Sequence, residues 1–169
     1  RLRLVDATTV NRPRTHGTDF RIHFSMNLKS SRVDHVEITD AKGGETLKRF
    51  QFVPGDLVVG DRGYAHRAGL QSVIDAGAHF VIRTNWQNLP LESRDGTPFD
   101  ILAALRTIGE AAPAEFEVQF RGPGGKAFPV RLVAIRRSES AAEKTRKEVI
   151  RESKKKGRVV DTRTLESAG

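Results

Sequence analysis

The sequence has 169 residues with no cysteine, one methionine, one tryptophan and one tyrosine. Without cysteine the chain forms no disulfide and no thiolate metal site, which suits the cytoplasm. No apolar run approaches the roughly 18 residues that a membrane-spanning helix needs, and no stretch resembles a secretory signal. These absences predict a cytoplasmic protein without a membrane partner, long enough for one good-sized domain core.

Positive charge is concentrated in the last part of the chain. The net charge is +8, yet residues 1–120 hold 15 Lys and Arg against 15 Asp and Glu, whereas residues 121–169 hold 14 against 6. A localised basic region is the electrostatic footprint expected for a polyanionic partner, although solvated helices are often equally basic.

The segment from Asp56 to Gly77 is the one around which the rest of the sequence is organised. Residues 57–59 are apolar and mostly β-branched, which predicts a short buried strand. Gly60 and Gly63 permit a sharp turn around Asp61, so its carboxylate is expected at the carboxyl end of that strand. Apolar residues at 70, 73 and 74 and a stop at Gly77 predict a helix next. Ligand-binding groups of α/β sheets collect at this end of the strands, although an isolated aspartate there commonly caps the next helix.

A second aspartate repeats this setting at the start of the chain. Residues 2, 4 and 6 are Leu, Leu and Asp, and residues 57, 59 and 61 are Leu, Val and Asp, so each acid ends one side-chain row. If the two strands are neighbours, Asp6 and Asp61 lie side by side. Adjacent carboxylates repel one another unless a proton or a cation lies between them, and oxygen ligands favour Mg²⁺ or Mn²⁺. The pair therefore predicts a divalent-cation site.

The remaining periodicity of the first half predicts a mixed α/β arrangement. Apolar residues from Phe20 to Leu28 alternate with polar ones, which predicts a strand with one buried face, and Val36 and Ile38 indicate a returning strand. The polar run at 8–19 predicts a loop after the Asp6 strand. A short helix is expected at 44–50 and a short strand at 80–83. The order is three strands, helix, strand, helix and strand.

The pattern changes after residue 84. Thr97 as N-cap and Pro98 at the first helical position predict a helix, and residues 115–136 predict a β-hairpin. Residues 139–156 predict a charged helix, most simply a solvated one, with DNA-backbone contact as the alternative, and Thr164 is expected to begin a final helix. The predicted division is a core at 1–84, an insertion with a helix and a β-hairpin at 85–138, and a basic helical segment at 139–169.

Two motifs carry a resemblance to a known family. Val5-Asp6-Ala7-Thr8-Thr9 and Gly60-Asp61-Arg62-Gly63-Tyr64 resemble the first and second acids of DDE transposases of bacterial insertion sequences, of the insertion-sequence-four type. The resemblance implies an α/β, ribonuclease H-like mixed sheet with flanking helices, and a β-hairpin-containing insertion after the second acid. It also implies a two-metal site of Mg²⁺ or Mn²⁺ on Asp6 and Asp61. The implied partner is double-stranded DNA of transposon ends and target, bound by a homodimer associated with the nucleoid.

Side chains near the two acids are candidate DNA contacts. The hydroxyls of Thr8 and Thr9 and the guanidinium of Arg62 can bind phosphate, although local structural roles explain them equally well. Tyr64 and Trp86 can stack on an unpaired base, although such aromatics more often pack. The DNA-binding set is completed by three further arginines, Arg12, Arg14 and Arg83.

The third acid of that family is not found in this sequence. It belongs to a motif of Tyr, Arg, Glu and Lys, whereas the only tyrosine is Tyr64 and Glu166 lacks the aromatic and basic partners. We therefore expect the chain to end before that motif and to be inactive alone, because an incomplete metal site positions the nucleophile poorly. Two other functions remain open. One is a non-catalytic basic nucleic-acid-binding module, and the other is an unrelated metal-dependent phosphohydrolase.

Overall fold

The computed structural model describes residues 1–14, 17–84, 87–109, 112–155 and 157–167. The chain forms two compact units. The first unit consists of Arg1–Leu89 with Gly122–Lys126, and the second consists of Pro90–Arg121 with Ala127–Gly169.

A five-stranded mixed sheet is the centre of the first unit. Its strands are β1 (Leu2–Val10), β2 (Phe20–Asn27), β3 (Arg32–Asp40), β4 (Leu57–Gly60) and β5 (His79–Ile82), in the spatial order β3-β2-β1-β4-β5. The first three strands are antiparallel neighbours, whereas β4 runs parallel to both β1 and β5. Helix α1 (Arg67–Asp75) links β4 to β5, and Gly77 ends the link with a positive φ of 70°. This mixed α/β arrangement is compatible with the ribonuclease H-like fold that the resemblance implies.

Two local predictions in this unit were wrong. Strand β1 does not give way to a loop after Asp6, because it stays paired with β2 as far as the Val10–Phe20 pair. The helix expected at 44–50 is a single 3₁₀ turn at Leu47–Arg49, whose N-cap Thr46 accepts a hydrogen bond from the backbone of Lys48. Glu45 therefore lies before this turn.

The buried face of the sheet is the one that carries polar side chains on β1 and β2. Val5, His23 and Ser25 are fully or almost fully buried, whereas Phe20 on the opposite face is 44% exposed and Ile38 is 66% exposed. The prediction of a buried apolar row on β2 is wrong in its choice of face. The buried face is covered by the apolar side chains Leu47, Phe50, Tyr64, Leu70 and Val73.

An ion network explains how this face tolerates polar groups. Buried Arg3 donates to the carbonyl of Gln51 at 2.6 Å and to Ser25 Oγ at 2.6 Å, and it pairs with Asp34 at 3.0 Å. Asp56, also buried, accepts two hydrogen bonds of 2.9 Å from the Arg1 guanidinium and lies 3.6 Å from Arg3. Each buried charge thus has a partner of opposite sign, which is the condition for burial.

The second unit contains the predicted hairpin. Strands β6 (Ala114–Arg121) and β7 (Ala127–Ala134) pair antiparallel, and the rings of Phe120 and Phe128 stack across them with centroids 5.3 Å apart. The predicted hairpin is confirmed.

Three helices complete the second unit, namely α2 (Ile101–Arg106), α3 (Glu139–Lys155) and α4 (Thr162–Glu166). Helix α2 is capped by Asp100, which accepts from the backbone of Leu102 and Ala103, so the predicted Thr97 cap was wrong. Helix α4 likewise begins after Asp161, two residues earlier than predicted. Within the residues that the structure describes, no helix has the length and apolar character to span a membrane.

Candidate active site

The two predicted acids lie on neighbouring parallel strands. The pairing of β1 with β4 sets Leu2 opposite Leu57 and Leu4 opposite Val59, and two residues further along each chain this register leads to Asp6 and Asp61. Asp6 lies inside β1, where it pairs with Phe24 of β2, and Asp61 directly follows β4. Both residues are exposed to solvent. Asp6 and Asp61 are each two residues beyond the paired residues Leu4 and Val59. Because side chains alternate along a strand, the two aspartate side chains point to the same side of the sheet.

Each acid uses one carboxylate oxygen for its own backbone. Asp6 Oδ1 accepts from the Ala7 amide at 2.8 Å, and Asp61 Oδ1 accepts from the Gly63 amide at 2.8 Å. Asp61 thereby caps the 3₁₀ turn at Arg62–Tyr64, the structural role anticipated for an aspartate at a strand end. In the described part of the chain, neither Oδ2 has a hydrogen-bond partner. The second oxygen of each acid is therefore available to a ligand.

A third carboxylate, Glu45, borders the same place and was not among the site residues predicted from the sequence. A Cβ atom added to Gly63 would overlap Glu45 Oε2 and would lie 3.0 Å from Asp61 Oδ1. The pKa of Glu45 is raised, first by burial and then by the negative charge of Asp61, with a smaller contribution from Asp6. Its cationic partner is Arg21, 3.5 Å away. The signal in the sequence was Gly63, whose missing side chain makes room for this carboxylate.

The side chain of Tyr64, three residues after Asp61, is part of the core. Tyr64 is fully buried with its ring 6.3 Å from that of Phe50, so it is not available to stack on a base. Its hydroxyl has no hydrogen-bond partner among the described residues. The pKa of Tyr64 is raised, mainly by burial and next by the charges of Glu45, Asp6 and Asp61.

The predicted DNA contacts fall into two groups. Thr8 is exposed two residues beyond Asp6 in the same side-chain row, and Arg62 is exposed next to Asp61. Arg83 is also exposed and directly follows β5, with its amide bound to the Gly60 carbonyl at 3.2 Å. Thr9 is exposed but alternates to the other side of β1.

The remaining predicted contacts are not gathered at the acids. Arg12 lies six residues beyond Asp6, and an extended chain of that length spans about 20 Å. Its guanidinium pairs with Asp19 at 3.0 Å. Arg14 follows in the same connection with a positive φ of 68°. Trp86 lies outside the described residues.

The donor chemistry of the acid pair fits a hard divalent cation. Mg²⁺ and Mn²⁺ prefer carboxylate oxygens, and the buried Tyr64 hydroxyl, which no described residue satisfies, is a further polar group in the turn that follows Asp61. As the side chains stand, no group of three or more His, Asp or Glu among the described residues closes around a metal position. Asp6 and Asp61 therefore offer a partial cation site.

Comparison with known proteins identifies the family to which the chain belongs. The chain matches the family model "Transposase DDE domain" over residues 1–167. It is 30% identical over 174 residues to the "Putative transposase InsL for insertion sequence element IS186A" of Escherichia coli (strain K12), and equally to the "Transposase for insertion sequence element IS421" of Escherichia coli. These alignments cover 100% of this chain and 47% of each relative, so the chain spans about half the length of the curated relatives it matches. No solved structure matches the chain. Since the family match extends over residues 1–167, the chain belongs to the transposase DDE domain family.

Proposed function

We propose that this chain is the catalytic-core part of a DDE transposase with a ribonuclease H-like fold. In the whole protein it binds transposon-end DNA and takes part in Mg²⁺-dependent cleavage and strand transfer, as a homodimer on paired ends. The observation that carries this proposal is the pair Asp6 and Asp61, at matching positions of adjacent parallel strands and each with an unused carboxylate oxygen. Family membership supports the same conclusion.

The roles of the residues follow from their chemistry. Asp6 and Asp61 hold the divalent cations, which when bound activate the attacking oxygen and stabilise the leaving oxygen of a phosphodiester. The exposed guanidiniums of Arg62 and Arg83 flank the Asp61 end of the site and offer paired hydrogen bonds to phosphate oxygens. The hydroxyl of Thr8 offers a further hydrogen bond along the β1 row. Together these groups orient a DNA backbone across the carboxyl ends of β4 and β5.

These residues alone do not complete the reaction. The family's Tyr, Arg, Glu and Lys motif has no counterpart in the sequence, whose single tyrosine is Tyr64. A site that lacks one carboxylate binds ions weakly and leaves the nucleophile poorly placed. The chain by itself is therefore expected to bind cations without catalysing strand transfer.

Mn²⁺ binding measured by titration calorimetry tests the proposal. The chain is expected to bind Mn²⁺ saturably, and Asp6→Asn and Asp61→Asn should each abolish that binding. Glu115→Gln is the control, because Glu115 lies on β6 in the second unit and pairs with Arg131 at 3.0 Å. Binding that survives both aspartate substitutions would remove the basis for the proposal.

The alternative is a nucleic-acid-binding module without catalysis, centred on α3. Lys144, Lys147 and Arg151 follow one another at helical spacing, and the Lys147 and Arg151 side chains are about 70% exposed (73% and 68%). Acidic neighbours offset part of this charge, since Lys147 pairs with Glu143 at 2.8 Å. The alternative therefore accounts for the basic charge of the chain but not for the acids on β1 and β4.

A further inference from the structure

We infer that Glu45 is a third carboxylate ligand of the cation site formed by Asp6 and Asp61, and that the Tyr64 hydroxyl serves the same site. This inference rests on the proposed function and names a residue that neither the two family motifs nor the spacing of the acids singled out.

The first observation is the space that Glu45 and Asp61 share. Gly63 contacts both carboxylates, because a Cβ at that position would overlap Glu45 Oε2 and lie 3.0 Å from Asp61 Oδ1. Glu45 reaches this place because the chain turns directly after β3, where the Gly43 amide donates to the Asp40 carbonyl at 3.1 Å, and leaves Glu45 just before the 3₁₀ turn at Leu47–Arg49. Two residues distant in sequence thus present their carboxylates to one small region.

The second observation is that few ion pairs form with these carboxylates, although the exposed Arg62 and Arg83 flank the Asp61 end. Glu45 pairs only with Arg21 among the described residues, and the 3.5 Å separation is long for an ion pair. Neither Asp6 nor Asp61 has an ion-pair partner within that part of the chain. Like charges in proximity raise the electrostatic free energy of the site, and a divalent cation is the ligand that lowers it most.

The third observation is independent of the carboxylates. The Tyr64 hydroxyl is fully buried and without a partner among the described residues, and Tyr64 directly follows Gly63, the residue that borders Glu45 and Asp61. Buried hydroxyls normally find a partner, so an orphaned one on the residue next to Gly63 points to a group that is bound there. A carboxylate drawn in by a cation, or water on that cation, is an acceptor of the right kind.

The inference requires one change in the site. As placed, the three carboxylates do not close around an ion, and Glu45 is directed partly to Arg21. Cation binding would exchange the Arg21 partner of Glu45 for the ion. The competing interpretation is that Glu45 serves only to hold Arg21.

Mn²⁺ titration of matched glutamate variants separates the two interpretations. Glu45→Gln should weaken Mn²⁺ binding at least tenfold, measured by calorimetry and by the Mn²⁺-dependent rise in Tm. Glu37→Gln is the control, because Glu37 also pairs with an arginine of this unit, Arg49, at 2.6 Å, but does not border Gly63. Circular dichroism verifies that both variants are folded.

A second pair of variants keeps the test decisive if Glu45→Gln unfolds. Arg21→Gln frees Glu45 from its present partner and should tighten Mn²⁺ binding, whereas Arg49→Gln, which frees Glu37 in the same way, should leave Mn²⁺ binding unchanged. Tyr64→Phe removes only the orphaned hydroxyl and should weaken Mn²⁺ binding while the protein stays folded.

The outcomes distinguish this inference from the proposed function. If Asp6→Asn abolishes Mn²⁺ binding while Glu45→Gln, Arg21→Gln and Tyr64→Phe leave it unchanged, the aspartate site stands and the role of Glu45 is overturned. If the unsubstituted chain does not bind Mn²⁺ at all, both are overturned. A tenfold loss in Glu45→Gln with no loss in Glu37→Gln supports the inference.

Discussion

Gly63 faces the carboxylate of Glu45 so closely that a methyl group at position 63 would overlap Glu45 Oε2. The atom in the way is the end of a flexible side chain, which moves at little cost. Gly63→Ala should therefore change the free energy of unfolding by less than about 1 kcal/mol, yet displace Glu45 and weaken Mn²⁺ binding about tenfold.

Gly44→Ala provides the control for that substitution. A Cβ at Gly44 would have no atom within 4 Å, although Gly44 is the residue that immediately precedes Glu45. In Gly44→Ala, urea denaturation should find the free energy of unfolding unchanged, and calorimetry should find the Mn²⁺ affinity unchanged. Equal Mn²⁺ affinity in the two alanine variants would show that Glu45 is not held in place by the open space at Gly63.

Asp56 should be the most sensitive acid of the first unit for stability. Its carboxylate is fully buried, accepts two hydrogen bonds from Arg1 and lies 3.6 Å from Arg3, so Asp56→Asn removes the counter-charge of Arg1 and one of the two acidic partners of Arg3. We expect a loss of about 1.5–3 kcal/mol in the free energy of unfolding, the range for hydrogen bonds to charged groups. Asp75→Asn is the control, because Asp75 is exposed at the end of α1 and should change stability by less than about 0.5 kcal/mol. Urea midpoints that coincide for the two variants would contradict the importance of the network.

The same carboxylate predicts how stability depends on pH. Hydrogen bonds from Arg1 hold the pKa of Asp56 well below its usual range. An unfolded aspartate titrates near a pKa of about 3.9, so acidification below that value protonates the unfolded chain before the folded one. The contribution of Asp56 is therefore complete above pH ~4 and is lost as the pH falls further. Between pH ~4 and ~2, denaturation curves should show a steeper loss of stability for the unsubstituted chain than for Asp56→Asn.

Salt dependence of DNA binding tests the contribution of α3. Each phosphate contact that is lost should reduce the slope of log K against log salt by about 0.9. A triple variant with glutamine at 144, 147 and 151 is expected to lose up to about three such contacts. The control places glutamine at three exposed lysines of the first unit, Lys29, Lys42 and Lys48. If both triple variants keep the original slope in a fluorescence-anisotropy titration, α3 does not contact DNA.

The periodicity of apolar residues was sufficient to locate strand β2, the β-hairpin and helix α1. Alternation located β2, the hairpin followed from two alternating runs around a glycine-rich turn, and α1 followed from apolar residues three and four apart. These patterns are local, so they survive without knowledge of the tertiary structure. The prediction that Asp6 and Asp61 lie on adjacent strands came instead from the matching patterns of residues 2–6 and 57–61, which are distant in sequence.

The choice of buried face was not available from the same patterns. Alternation gives the period of a strand but does not say which side is covered, and on β2 the covered side holds His23 and Ser25. Those side chains are acceptable there only because Ser25 is bonded to Arg3, and His23 Nε2 lies 3.0 Å from Thr39 Oγ1. Partners so far apart in sequence cannot be read from local composition.

Glu45 was missed for a related reason. The glycines before it and Thr46 after it indicate a helix start, and a glutamate near a helix start is ordinary. Only the fold brings it to Gly63.

The prediction of Thr97 as the cap of α2 was wrong because Asp100, three residues later, competes for the same role and is nearer to the apolar run of α2.

Because β1 continues through Asp6 to Val10, the backbone at Asp6 is more restrained than the backbone at Asp61 or Glu45. Asp6 belongs to the middle strand of five, whose backbone is restrained along its length by β2. Asp61 and Glu45 each border a single 3₁₀ turn, a more compliant support. If the proposed site binds ions of different radius, these two turns are therefore the parts that adjust, while the central strand keeps its position.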